Sequence, residues 1–290
     1  ALAPVTGAHY RAEVGIVKDY DNIWDAGLDR WHQRVDRESS KGLFAACQKT
    51  HTPFDFCYLD HMRAEDLFPY KVLFYPHATI VTQETADKLT AYVEQGGCLV
   101  LGCRTGYKQE NGKCVMSKLP GLLQPLAGTD IPEYTFVSPA EGTVYADWDG
   151  VQIEASIFND LLEPLTDQAK VEARYVSSYY AGTPALISNE KGKGRVYYFG
   201  GAFNEHTAQV FLEKLGAAQP YQDIMALPEG CELMVREAQD GSQYFFVLNY
   251  LEEAAEICLK ESFLDLFEGK EVQGELELPP FGTKVFARKK

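Results

Sequence analysis

A thiol, an imidazole or a carboxylate does chemistry only with a partner, so the first candidates are the places where such groups fall near one another. Cys103 stands in GGCLVLGCRTGYK (96–108), an apolar run that ends in a glycine-bounded turn. A strand that stops in a tight turn can present a nucleophile at the carboxyl edge of a parallel sheet. The thiol would then need a base, because at its ordinary pKa only a few per cent of it is thiolate near neutrality.

In class I glutamine amidotransferases, which share the strand–helix order read here, that turn is G-x-C-x-G and the base follows a late strand as F-H-P-E. In GCRTG the cysteine is second of the five residues instead of third, between Gly102 and Gly106. The late strand VYYF is followed by Gly200 and Gly201, where the histidine and proline would stand. His206, several residues on, reads as a helix-face residue. Cys103 is therefore expected to be a buried thiol at a degenerate nucleophile position, and no catalytic residue is assigned.

Two further constellations carry less. In AFNEH (202–206) the Asn–Glu pair resembles a glycosidase acid/base dipeptide, but Asn204 as a helix cap and Glu205 in the first turn account for both. Glycoside hydrolysis also needs a second carboxylate about 5–9.5 Å away, and nothing singles one out. DYDNIWDAGLDRWHQR (19–34) reads as a polar loop after the first strand and holds Trp24 and Trp31, two of the three Trp residues. Large aromatics among carboxylates suit an interface anchor or a sugar-stacking edge. Trp24, Trp31, Arg104 and Tyr107 are the expected interface or cleft-rim residues, since all four flank strand ends. EKGKGR (190–195) is a hairpin turn lacking the Walker spacing, and no metal-ligand or cofactor motif is present, so none is expected.

Composition narrows the partners. Asp and Glu outnumber Lys and Arg by 42 to 27, for a formal net charge of −15. That balance argues against nucleic acid and anionic membranes, and no apolar run reaches the ~20 residues of a membrane span. Seven cysteines with no CxxC pair suit a reducing, cytoplasmic setting.

The elements that must position these residues alternate strand and helix through the first two hundred residues. EVGIVKDY, FDFCYL, YKVLFYP and CLVLG read as strands; SSKGLFAACQKTH (39–51), with Ser39 as cap, and TQETADKLTAYVEQGG (82–97) read as helices. This order predicts a doubly wound, mostly parallel, flavodoxin-like or class I glutamine amidotransferase-like α/β sheet. A hairpin at 183–201 and a helix at 204–217 complete it. After Pro220 only short strands and turns appear, as in a small antiparallel β-sandwich. The boundaries are a linker over 1–12, an α/β domain over 13–220 and a β domain over 221–290.

Together, VGIVKDYDNIWD, GGCLVLGCRTGYK, YYFGGAFNEHT and the tail's ELELPPFGTKVF resemble the middle and C-terminal domains of glycoside hydrolase family 42 β-galactosidases. The resemblance implies a homotrimerisation module and a β tail. It also implies that the catalytic glutamates and most galactoside contacts lie on a (β/α)₈ barrel absent from this sequence. Two alternatives stand beside it: a stand-alone amidotransferase-like enzyme using Cys103, and a carbohydrate-binding module using the 19–34 loop.

Overall fold

The computed structural model describes residues 2–288. In chain order the strands are β1 (His9–Arg11), β2 (Val14–Val17), β3 (Phe54–Cys57), β4 (Val72–Tyr75), β5 (Cys98–Leu101), β6 (Thr129–Phe136), β7 (Tyr145–Trp148), β8 (Val151–Glu154) and β9 (Phe158–Pro164). They continue with β10 (Ala169–Tyr175), β11 (Pro184–Lys191), β12 (Gly194–Phe199), β13 (Met225–Ala226), β14 (Cys231–Glu237), β15 (Gln243–Asn249), β16 (Ala255–Asp265), β17 (Lys270–Leu278) and β18 (Thr283–Arg288). The α-helices are α1 (Tyr20–Leu28), α2 (Arg30–Lys49), α3 (Ala64–Leu67), α4 (Gln83–Glu94), α5 (Gln124–Ala127) and α6 (Glu205–Lys214). The chain divides into two compact units. One is Gly15–Phe44 with Phe56–Phe211; the other is the stretch up to Val14, Ala45–Asp55 and the chain from Leu212.

The larger unit is built on a nine-stranded sheet of order β3-β2-β4-β5-β12-β11-β10-β7-β8. The β4–β5 and β5–β12 pairs are parallel. Beyond β12 every pair is antiparallel, so the sheet is mixed where the sequence predicts a mostly parallel one. The hairpin at β11–β12 explains the change, because a short glycine turn can only return a strand antiparallel to its neighbour. VLFY and LVL are buried along their whole length, as strands covered on both faces must be. Leu89 and Val93 of α4 pack into that core, and Thr82 caps the helix by accepting the Thr85 N–H at 3.0 Å.

Two helix expectations fail. The 19–34 stretch is not a loop but α1 and the start of α2. Asp19 accepts the N–H groups of Asp21 and Asn22 to begin α1, and Asp29 accepts those of Trp31 and His32 to begin α2. Ser39 is accordingly no cap; it lies buried inside α2. The first half of that helix shows little apolar periodicity because polar residues, His32 and Ser39, occupy its buried face.

The smaller unit holds a seven-stranded sheet, β1-β14-β15-β18-β16-β13, with β17 added on β16. The strands assigned from sequence to a sandwich are thus hydrogen-bonded into one sheet. Residues 9–11, expected to be linker, form its edge strand β1 paired with β14. Cys231, Leu233 and Val235 alternate inward along β14 and meet Phe245, Phe263 and Phe286 in the core. A register shift between Leu259 and Phe263 breaks the β16 ladder, as a bulge does when a long strand bends.

Candidate functional site

The elbow at the end of β5 is present as a shape. Leu101 is the last strand residue, Gly102 follows, and Cys103 donates its N–H to the Gly201 carbonyl at 3.3 Å. The left-handed residue is not the cysteine but Arg104, at φ +66°. The chain then continues as turns, with no helix behind the elbow to support an anionic intermediate through its N-terminus.

A histidine does stand beside the thiol, though not the one sought in the sequence. His77, just beyond the end of β4, places Nδ1 3.8 Å from Cys103 Sγ and 2.8 Å from the Cys103 carbonyl oxygen. Its Nε2 lies 2.7 Å from Ser39 Oγ. Ser39 Oγ accepts the Phe203 N–H at 2.8 Å, so it directs its own proton to His77 Nε2. His77 is thereby held as the Nδ1–H tautomer, donating to the carbonyl with its lone pair already used. It has no free electron pair to offer a thiol. Burial, reinforced by the charges of His32 and Arg104, lowers its pKa to about 3. Cys103 has no exposed surface, and burial together with the neighbouring Asp160 charge pushes its thiol well above the ordinary value. Neutral thiol beside neutral imidazole is a packed pair, not a nucleophile and its base.

The place where the sequence motif would put a histidine is closed by backbone. A Cβ on Gly200 would fall onto the Asp160 carbonyl oxygen and the Tyr175 hydroxyl. Gly200 also accepts the Asp160 N–H at 2.7 Å and donates to Ala185 at 2.8 Å. No side chain enters there without moving β9.

Asp160 is the centre of the polar interior. Its carboxylate accepts the Arg104 N–H at 2.9 Å, the Tyr107 hydroxyl at 2.7 Å and the Tyr198 hydroxyl at 2.8 Å. Burial raises its pKa to about 6, against the lowering effect of those donors. A second layer surrounds it. Arg104 donates to Asp29, and its guanidinium lies over the rings of Phe158 (4.9 Å) and Tyr107 (5.6 Å). Lys108 reaches both oxygens of Asp25 at 2.8 Å. Burial alone would raise the Asp29 pKa, but the His32 N–H and the charges of Arg104 and Lys108 hold it below the usual value.

The four expected rim residues therefore separate. Arg104 is only 7% exposed and points inward, so it is not a rim residue. Tyr107 is half-buried and bound to Asp160. Trp31 is half-buried against Phe136, ring centroids 3.8 Å apart, with Arg30 over its face at 4.4 Å. Trp24 alone of the four faces outward from α1. His206 is exposed on α6, and Asn204 caps that helix by accepting the Thr207 N–H at 2.8 Å. Asp160 and His77 escaped the sequence reading although both left a mark. An Asp inside the buried run FNDLL and a His at the carboxyl end of a strand are each unusual enough to ask about.

Among the described residues no group of three or more His, Cys, Asp or Glu is arranged to hold a metal ion. No helix among them is long and apolar enough to cross a membrane.

A mixed α/β unit with a buried elbow, joined in one chain to an antiparallel β unit, is the class of architecture that the fold defines. Comparison with known proteins gives it a family. Residues 12–220 match the family model of the beta-galactosidase trimerisation domain, and residues 230–288 match that of the beta-galactosidase C-terminal domain. The chain belongs to the beta-galactosidase trimerisation-domain family. It is 28% identical over 99% of its length to a beta-galactosidase of Clostridium perfringens, covering 42% of that protein. A beta-galactosidase of Clostridium cellulovorans is 32% identical over 77% of this chain and 33% of its own length. Among solved structures, a GH42 beta-galactosidase from G. stearothermophilus superposes with a TM-score of 0.81 at 26% identity, over 96% of this chain and 40% of that one. The chain thus spans about two-fifths of the length of the proteins it matches.

Proposed function

We propose that this chain is the self-associating module and β tail of a β-galactosidase, that it assembles as a homotrimer, and that it performs no chemistry of its own. Hydrolysis of terminal β-D-galactosides would belong to a barrel carrying the two glutamates, outside these 290 residues. The observation that carries this reading is the state of the elbow. Cys103 is buried and protonated, His77 has spent its lone pair on Ser39, and backbone occupies the site of the usual base at Gly200.

The same features support an amidotransferase-like ancestry for the larger unit, with parallel β4, β5 and β12 at its centre and a nucleophile turn that has lost its function. The seven cysteines, all free, fit a reducing cytoplasmic setting. Neither a metal nor an organic cofactor enters the reading, and galactoside contacts are assigned chiefly to the barrel.

The test is direct. The 290-residue chain incubated with a chromogenic β-galactoside should give no turnover above buffer. Measurable hydrolysis would overturn the assignment. Galactose titrated against Trp fluorescence should leave it flat, since the stretch around Trp24 and Trp31 is helical and the Trp31 ring is already packed against Phe136 and Arg30.

A further inference from the structure

α1 is built inside out. An amphipathic surface helix normally turns its apolar face to the core and its polar face to water. Here Asn22 and Ala26 are buried and Asp25 is largely so, while Tyr20, Ile23, Trp24 and Leu28 are exposed. Trp24 is 68% exposed and Leu28 is 92% exposed. The four positions 20, 23, 24 and 28 follow helical spacing and form one stripe.

The inversion is enforced from within. Asn22 donates its side-chain amide to the Ile80 carbonyl at 3.0 Å and accepts the Ile80 N–H at 2.8 Å, replacing a strand partner for that residue. Asp19 caps the helix and accepts the Tyr75 hydroxyl. Asp25 is tied to Lys108 and Asp29 to Arg104. These inward bonds leave the helix no choice of face. Tyr58, which follows the edge strand β3, stacks on Tyr20 with centroids 5.9 Å apart and extends the stripe.

We propose that this stripe is the centre of the contact between copies of this chain, with a second copy as its occupant. The inference rests on the trimerisation reading above and adds the surface that does it. The match to a trimerisation-domain model favours that occupant, and charge permits it. Two copies each carrying −15 repel over most of their surface. The stripe is a place where that repulsion is reduced, because Asp25 and Asp29 are turned inward and paired with cations, leaving Asp21 as the exposed acid of α1. The helix also lies wholly within the residues that match the trimerisation family model. Trp24 beside Tyr20 and Tyr58 supplies the aromatic residue types in which interface hot spots are enriched, and Leu28 adds apolar area next to them. The four side chains supply only part of the ~800 Å² that each partner of a stable interface buries, so they mark the centre and not the whole footprint.

A closed three-fold ring uses one contact three times, so damage to the stripe breaks every interface at once. Light scattering on the full 290-residue chain compares four proteins. They are wild type, the double variant Trp24→Glu/Leu28→Glu, Gly27→Arg, and Met116→Glu as a charge placed on a different exposed apolar residue. Gly27 lies between Trp24 and Leu28, and a Cβ there meets nothing, so its arginine obstructs the stripe without disturbing the fold. Wild type and Met116→Glu should run at the mass of three chains. The double variant and Gly27→Arg should fall about three-fold in mass, with helical circular dichroism unchanged. If the double variant misfolds, Gly27→Arg decides alone. A trimer that survives Gly27→Arg overturns the stripe as interface while leaving trimerisation standing. Loss of the trimer in Met116→Glu as well would overturn the stripe as the specific site. A wild-type chain that stays single overturns both readings together.

Discussion

The elbow after β5 and the helix α1 lie in the same unit and obey opposite rules. At the elbow every group capable of chemistry is turned inward: Cys103, His77, Arg104 and Asp160 are all buried. On α1 the groups that would ordinarily be buried, Trp24 and Leu28, are turned outward. A working site would need the polar groups reachable and an isolated monomer would need the apolar ones covered. The molecule does the reverse of both, as the proposed self-associating module requires. Polar networks sealed inside hold the helix in place, and the apolar surface they leave exposed is free to bind.

The comparison can be attacked first at its interior. Asp160→Ala leaves the Arg104 N–H and the Tyr107 and Tyr198 hydroxyls without their acceptor. The expected loss is about 3–5 kcal/mol in chemical denaturation. A loss under ~1 kcal/mol would mean that water replaces the carboxylate and that the interior is not sealed.

Acid titration is the next largest effect. His77 and His32 are neutral in the fold, with burial lowering their pKa values to about 3 and about 4. Both take up protons on unfolding below ~6.5, so each contributes stability that is lost as pH falls. Asp160 acts in the other direction. Its raised value of about 6 means that its stabilising proton is held below the unfolded carboxylate pKa and lost as pH rises through 6. Between roughly pH 4 and 6 the unfolded chain therefore binds one more proton net on these three groups. They should lower stability by about 1.4 kcal/mol for each unit of acidification. His77→Gln removes one histidine and should bring that contribution close to zero in the same pH range.

Gly200→Ala tests the closed base position. The added methyl meets the Asp160 carbonyl and the Tyr175 hydroxyl, for an expected loss of about 1–3 kcal/mol. In parallel, iodoacetamide with peptide mapping should label exposed Cys114 long before buried Cys103. Fast labelling of Cys103 would reopen the enzyme alternative.

The smallest effect belongs to the outer face. Trp24→Glu with Leu28→Glu should shift the stability of the dissociated chain by no more than ~0.5 kcal/mol, because neither side chain is buried in it. A large shift at high dilution would place the stripe in the folding core instead of at an interface.

Much of this was visible in residue order. Runs such as VLFY and CLVL announced the central strands, Thr82 and Asn204 their helix caps, and the turn-rich chain after Pro220 its all-β character. The displaced cysteine in GCRTG and the glycines at 200 and 201 already argued against a catalytic pair. α1 was missed as a helix although Asp19 caps it and Tyr20, Ile23, Trp24 and Leu28 keep helical spacing; that periodicity is the same whichever face is buried, so it could not tell which face looks outward. The first half of α2 was hidden for a related reason: its inward face carries His32 and Ser39, whose burial depends on partners far along the chain.

What the sequence determined by itself was the family, the central strands β4, β5 and β12 with helices α4 and α6, and the misplaced cysteine and missing histidine of the nucleophile motif, because these depend on local patterning and on spacing. What only the tertiary structure decided was which histidine meets Cys103, which carboxylate anchors the interior, and which face of α1 looks outward. Those outcomes depend on contacts such as Asn22 to Ile80 and Asp160 to Tyr198, made between residues 58 and 38 positions apart. No local spacing encodes them.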